Sequence, residues 1–66
     1  MTDSKVETID GLKHYFTKIG QQITTTVYHS NKEEIDRIAN RLAKINDSVE
    51  IASLRGEWKV TAVSNA

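Results

Sequence analysis

One amphipathic stretch, residues 30–46, constrains the fold of this chain more than any other feature. Its apolar residues recur at spacings of three and four, which places them in one stripe along a helix. The stripe consists of Ile35, Ile38, Ala39, Leu42 and Ile45. Ser30 and Glu33 have the spacing of a capping box, in which each side chain bonds a free backbone N–H of the first turn. The pattern therefore predicts a helix over residues 30–46, with its apolar stripe buried against the rest of the chain.

Length and composition indicate one small domain over residues 1–66, with loose tails at 1–5 and 64–66. Without cysteine, neither a disulfide nor a thiolate metal site can stabilise it. Nine basic and nine acidic residues cancel, so net charge does not favour nucleic acid or an anionic membrane. No apolar run reaches the roughly 18 residues of a membrane span, and no signal-peptide pattern opens the chain. We expect a cytoplasmic protein without a membrane role.

The segment from Val6 to Lys18 has two interpretations. As a helix capped by Thr8, it would gather its apolar residues on one face. Those residues are Ile9, Leu12, Tyr15, Phe16 and Ile19. As a β-hairpin, it would turn at Asp10-Gly11, a dipeptide that tolerates the positive φ angles of tight turns. The helix separates apolar from polar residues better, although Gly11 would weaken it by up to about 1 kcal/mol, and the helix is the interpretation we favour.

Three further segments, 22–29, 48–54 and 58–63, have the composition of β-strands. They are rich in branched and aromatic residues, and their polarity alternates. Arg55-Gly56-Glu57 would join the last two strands in a hairpin. The predicted fold class is therefore α+β in the order α-β-α-β-β, with a three-stranded, mainly antiparallel sheet packed on the 30–46 helix. The hairpin interpretation of the N-terminal segment would instead give β-β-β-α-β-β.

The strands predict a sheet with one face for the 30–46 helix. The residues expected under that helix are Ile23, Val27, Val49, Ile51, Trp58 and Val60. The opposite face would carry Tyr28, Ala52, Leu54 and Val63, and either the first helix or a second copy of the chain would cover it. Because no proline protects the edges of the sheet, pairing of edges between two copies is a further hypothesis.

A search for catalytic chemistry finds little in this sequence. His14 and His29 have no metal-ligand spacing, and the three glycines are too scattered to form a phosphate-binding loop. Asp10 and His14 could pair on a helix, but a solvated surface pair is the better explanation of their spacing. We therefore predict no enzymatic activity, no catalytic residue, no metal site and no cofactor.

Binding is the remaining class of function. Arg37, Arg41 and Lys44 form a basic line along the predicted helix, but Glu33 and Asp36 intersperse it, as on a solvated face. Arginine and tyrosine are enriched at the energetic centres of protein interfaces. The predicted partner-binding residues are Tyr28, Arg37, Arg41 and Lys44. The sequence thus favours a protein-binding module, an adaptor or an inhibitor that covers a partner's surface, with homodimerisation as a further hypothesis. The alternative is a nucleic-acid-binding protein that uses the basic line.

Overall fold

The structure, a computed structural model that describes residues 2–65, begins with three consecutive strands. Residues 2–65 form five strands and one helix in the order β-β-β-α-β-β. Their bounds are β1 Thr2–Ile9, β2 Leu12–Ile19, β3 Gln22–His29, α1 Lys32–Ala43, β4 Ser48–Leu54 and β5 Glu57–Ser64. The strands form one sheet in the spatial order β1-β2-β3-β5-β4, and all neighbouring strands are antiparallel. Because β5 lies between β3 and β4, the unit β3-α1-β4 is a split β-α-β motif.

The predicted N-terminal helix, and with it the three-stranded sheet, was wrong; the hairpin alternative has the observed order. Asp10 and Gly11 have φ angles of 54° and 79°, the positive values of a type I′ turn, whose twist matches that of the flanking strands. Strand β2 also pairs with β3 from His14 to Ile19, so strands on both sides satisfy the backbone groups of this segment. Residues 2–5, expected as a loose tail, begin β1, and Ser64 ends β5. Met1 and Ala66 lie outside the described residues.

The predicted helix over residues 30–46 exists but is shorter at both ends. Asn31 is its N-cap: the Asn31 Oδ1 accepts hydrogen bonds from the backbone N–H groups of Glu33 (2.9 Å) and Glu34 (3.4 Å). The cap therefore lies one residue after the predicted Ser30. The helix ends at Ala43, so Ile45 falls outside the buried stripe and is 74% exposed.

The core forms where α1 packs on the middle of the sheet. Its buried members come from the helix and from β3 and β5, and they are Ile35, Ile38, Ala39, Leu42, Val27, Val60 and Ala62. Leu12, Val49 and Trp58 pack against this cluster and are partly buried. Ile51, expected under the helix, is 39% exposed because β4 is an edge strand. The helix thus covers one face of the sheet around β3, β5 and β4.

The β1–β2 hairpin extends beyond the area that the helix covers. No Cα atom of α1 comes within 8 Å of a Cα atom in β1 or β2. The hairpin is held to the rest of the molecule by its pairing with β3 and by side-chain contacts to the helix. On the other side of the sheet, residues 2–65 provide no helix at all, so that face, which we call the open face, is exposed to solvent.

Candidate binding surfaces

The open face carries two tyrosines in contact. Tyr15 in β2 and Tyr28 in β3 lie edge to face, with ring centroids 5.9 Å apart and an interplanar angle of 78°. Both side chains remain about two-fifths exposed, at 39% and 41%. Alternation along the strands places them on the face opposite the core, because the residues beside them in sequence, His14 and Val27, are buried under the helix side. The pair therefore forms an aromatic surface that faces solvent.

Two lysines flank this pair. Lys59 in β5 is the register partner of Tyr28. Lys13 lies one residue before His14, whose register partner is Val27. Lys13 therefore lies opposite Tyr28, on the side away from Lys59. Threonines fill the neighbouring positions of the same face, and they are Thr17, Thr24, Thr26 and Thr61. We call Lys13, Tyr15, Tyr28 and Lys59 the tyrosine–lysine patch.

Two of the three basic side chains in the predicted line form ion pairs with acidic residues. Arg37 forms an ion pair with Glu34, one turn before it on the outer surface. Arg41 turns away from that surface towards the hairpin, where its Nη1 lies 2.9 Å from Asp10 Oδ2. Lys44 is the C-cap residue and is exposed. The three side chains therefore do not present a continuous row of unpaired charge.

Arg41 also contacts a buried histidine, which makes a chain of three polar side chains. The His14 ring is 1% exposed, and its Nε2 lies 2.9 Å from Arg41 Nη2. Because a guanidinium can only donate, Nε2 is the acceptor, and the ring proton on Nδ1 is donated to the Leu12 carbonyl at 3.1 Å. Asp10 and His14, which the sequence suggested as a direct pair, are thus joined through Arg41. Because both ring nitrogens of His14 are hydrogen-bonded, these three side chains hold the hairpin against the helix and offer no free base.

The four predicted partner-binding residues are divided between two surfaces. Tyr28 lies on the open face, whereas Arg37, Arg41 and Lys44 belong to the helix on the opposite side. Arg37 and Arg41 line a shallow groove of about 220 Å³ between α1 and the β1–β2 turn. Sequence reasoning missed Tyr15 and Lys13 because it placed them on a helix. The alternation of Lys13 and Tyr15 about the Asp10-Gly11 turn is the signal that identifies them.

No other chemistry is evident in the part of the chain that the structure describes. Residues 2–65 contain no group of three or more potential metal-ligating side chains, and no helix among them is long and apolar enough to cross a membrane. Comparison with protein-family models, curated proteins and solved structures found no match.

Proposed function

We propose that this protein is a non-enzymatic binding module that docks the tyrosine–lysine patch against an acidic surface of a partner protein. The observation that carries the proposal is the uncovered sheet face with Tyr15 and Tyr28 in contact at its centre. Tyrosine brings a large apolar ring and a polar hydroxyl to an interface at little cost in conformational entropy. Because these two rings already support each other, few degrees of freedom would be lost on binding.

The charges around the tyrosines indicate the chemistry of the partner. Lys59 and Lys13 stand on either side of Tyr28, and both would remain unneutralised against an apolar or basic surface. Carboxylates on the partner could pair with both lysines while an apolar side chain packs on the rings. Charge complementarity of this kind favours the correct partner and speeds its association.

A protein suits the open face better than a nucleic acid does. Glu57 lies two residues before Lys59 on the same strand and face, and Glu50, opposite Thr61, shares that face as well. A polyphosphate backbone that crossed the sheet would meet both carboxylates, whereas a compact acidic cluster could contact the lysines alone. The chain's equal numbers of acidic and basic residues point the same way. On the helix, the pairing of Arg37 and Arg41 with acids likewise leaves the nucleic-acid hypothesis with less support.

Site-directed crosslinking tests the proposal directly. The photoreactive residue p-benzoylphenylalanine replaces Tyr28 in the full chain, and Arg37 in a matched control on the opposite surface. After irradiation in a lysate of the native host, we expect position 28 to crosslink to a protein segment rich in Asp and Glu, and position 37 not to. Mass spectrometry identifies the segment.

A synthetic peptide of that segment then supports a quantitative test. We expect Tyr28→Ala to weaken its binding by at least about 10-fold, as at an energetic centre of an interface. At low salt, Lys59→Glu should weaken peptide binding more than Tyr28→Ala does. Arg37→Ala should leave peptide binding unchanged. Crosslinks confined to position 37, equal losses in all variants, or tight salt-sensitive binding of oligonucleotides in place of the peptide would each contradict the proposal.

A further inference from the structure

We propose that two copies of this chain pair through strand β1, antiparallel and with Val6 facing Val6 of the second copy, to form one continuous sheet. The edge strand β1 is a different surface from the tyrosine–lysine patch, so this inference goes beyond the proposed function and does not depend on it. Four observations lead to it: the exposure of this edge, the direction of its backbone groups, its pattern of charge and its exposed valine.

Strand β1 is an edge that the described residues leave uncovered on both faces. It pairs only with β2, and its other side is free of any strand between residues 2 and 65. The helix covers the opposite end of the sheet, and none of its Cα atoms lies within 8 Å of a Cα atom in β1. β1 is eight residues long and has no proline to block pairing, so its charged residues Asp3, Lys5 and Glu7 decide which strand it can accept.

The hairpin fixes which backbone groups of β1 point outward. In a two-residue hairpin the residues that flank the turn, here Ile9 and Leu12, form a hydrogen-bonded pair. Because such pairs alternate with non-hydrogen-bonded ones, the N–H and C=O groups of Ser4, Val6 and Thr8 point away from β2. An antiparallel copy centred on Val6 places Ser4 opposite Thr8 and Val6 opposite Val6. Every outward group between Ser4 and Thr8 then finds a partner.

The charges of β1 are also matched in this register. With Val6 at the centre, Lys5 lies opposite Glu7 of the second copy, and by symmetry Glu7 lies opposite its Lys5. These are non-hydrogen-bonded positions, where cross-strand side chains come closest. A centre at Lys5 would instead oppose two lysines and bring Asp3 against Glu7, and a centre at Glu7 would oppose two glutamates. A centre at Ser4 would pair Asp3 with Lys5, but it would overlap fewer residues of β1 and leave the outward groups of Thr8 without a partner. Within one copy the Lys5 and Glu7 side chains already lie 3.1 Å apart, so in the dimer four charges would alternate in sign.

The central valine is the exposed apolar residue of this edge. Val6 is 54% exposed and lies on the open face as the register partner of Tyr15. In the proposed dimer its side chain would pack on Val6 of the second copy, with a Tyr15 ring on each side. The other edge, β4, carries Glu50 as its single charge and therefore encodes no comparable charge-matched register. Because both faces of β1 are uncovered within residues 2–65 and its charges are matched, β1 is the better strand for self-pairing.

Engineered cysteines test the register, because the chain has no cysteine of its own. Opposed residues of a hydrogen-bonded antiparallel pair have Cα atoms about 5.5 Å apart, a distance that a disulfide spans. We therefore expect Val6→Cys to form a disulfide-linked dimer under mild oxidation. Ser4→Cys and Thr8→Cys, on the same face and edge, should each stay monomeric alone and crosslink when the two variants are mixed.

The affinity and its electrostatic origin are measured by light scattering over a range of concentrations. The unmodified chain should reach twice its monomer mass. Lys5→Glu should weaken dimerisation by at least about 10-fold, because each mismatch occurs twice across the two-fold axis. The double variant Lys5→Glu/Glu7→Lys should restore it, and circular dichroism confirms that each variant is folded. A monomeric mass at about 1 mM, equal disulfide yields at residues 4, 6 and 8, or no rescue by the double variant would overturn the proposal.

Discussion

At the scale of single residues, Arg41 has the most consequential position. It extends from a helix whose Cα atoms all lie more than 8 Å from those of β1 and β2, and it meets Asp10 in the turn and His14 in β2. The contact with Asp10 is at the surface, where an ion pair contributes little to stability. The contact with His14 matters more, because a buried acceptor that loses its donor is not rehydrated.

We therefore expect Arg41→Ala to lower the free energy of unfolding by about 1 to 3 kcal/mol. The loss arises chiefly at the His14 Nε2, which is left buried without its hydrogen bond. Urea unfolding followed by circular dichroism measures it. Arg37→Ala, which removes the exposed pair with Glu34, is the control and should cost less than about 0.5 kcal/mol. Equal losses in the two variants would show that the contact between Arg41 and His14 does not stabilise the fold.

At the scale of the elements, the position of the helix cap is the sharpest prediction. Asn31→Ala should lower the free energy of unfolding by about 1 kcal/mol, because its Oδ1 satisfies the free N–H groups of Glu33 and Glu34. Ser30→Ala, one residue earlier, should have an effect within about 0.5 kcal/mol of zero. Thermal or urea unfolding of both variants separates the two caps. A larger loss for Ser30→Ala would restore the capping box read from the sequence.

The elements also show how far the sequence determines this structure. The stripe Ile35, Ile38 and Leu42 is periodic enough to predict both the helix and its buried face. Strand β3 and the β4–β5 hairpin follow from composition and from Gly56, which has the expected positive φ of 73°. The N-terminal hairpin was missed because its apolar residues fit a helical period by coincidence, while the turn preference of Asp10-Gly11 was given too little weight. Pairing with β3, a non-local interaction, decided between the two.

The same error concealed much of the candidate site. Tyr28 was identified because strand β3 was predicted correctly. Tyr15 and Lys13 can be assigned to the patch only when β2 is known to pair with β3. Arg41 was placed on the outer face by helical spacing alone, whereas its length lets it reach Asp10 in the turn. Residues whose role depends on a neighbour distant in sequence are those that local patterns cannot assign.

At the scale of the whole molecule, stability depends on a small core. A chain of this size has a free energy of unfolding of about 5 kcal/mol, and Ile35 is one of its fully buried side chains. Ile35→Ala should cost about 2 to 5 kcal/mol and leave much of the population unfolded at 25 °C. Ile45→Ala, the same change at an exposed position just beyond the helix, should cost less than about 0.5 kcal/mol. Similar melting temperatures for the two variants would refute the assignment of the core.

The place of β5 in the sheet has a consequence for how the chain folds during synthesis. Among the five strands β5 is synthesised after the other four, yet it lies between β3 and β4 and supplies Val60 and Ala62 to the core. Until it emerges, β1, β2 and β3 can form a meander, but the apolar stripe of α1 lacks its contacts with Val60 and Ala62. A nascent chain that ends before residue 57 should therefore expose that stripe, and completion of the fold must follow translation of the final strand.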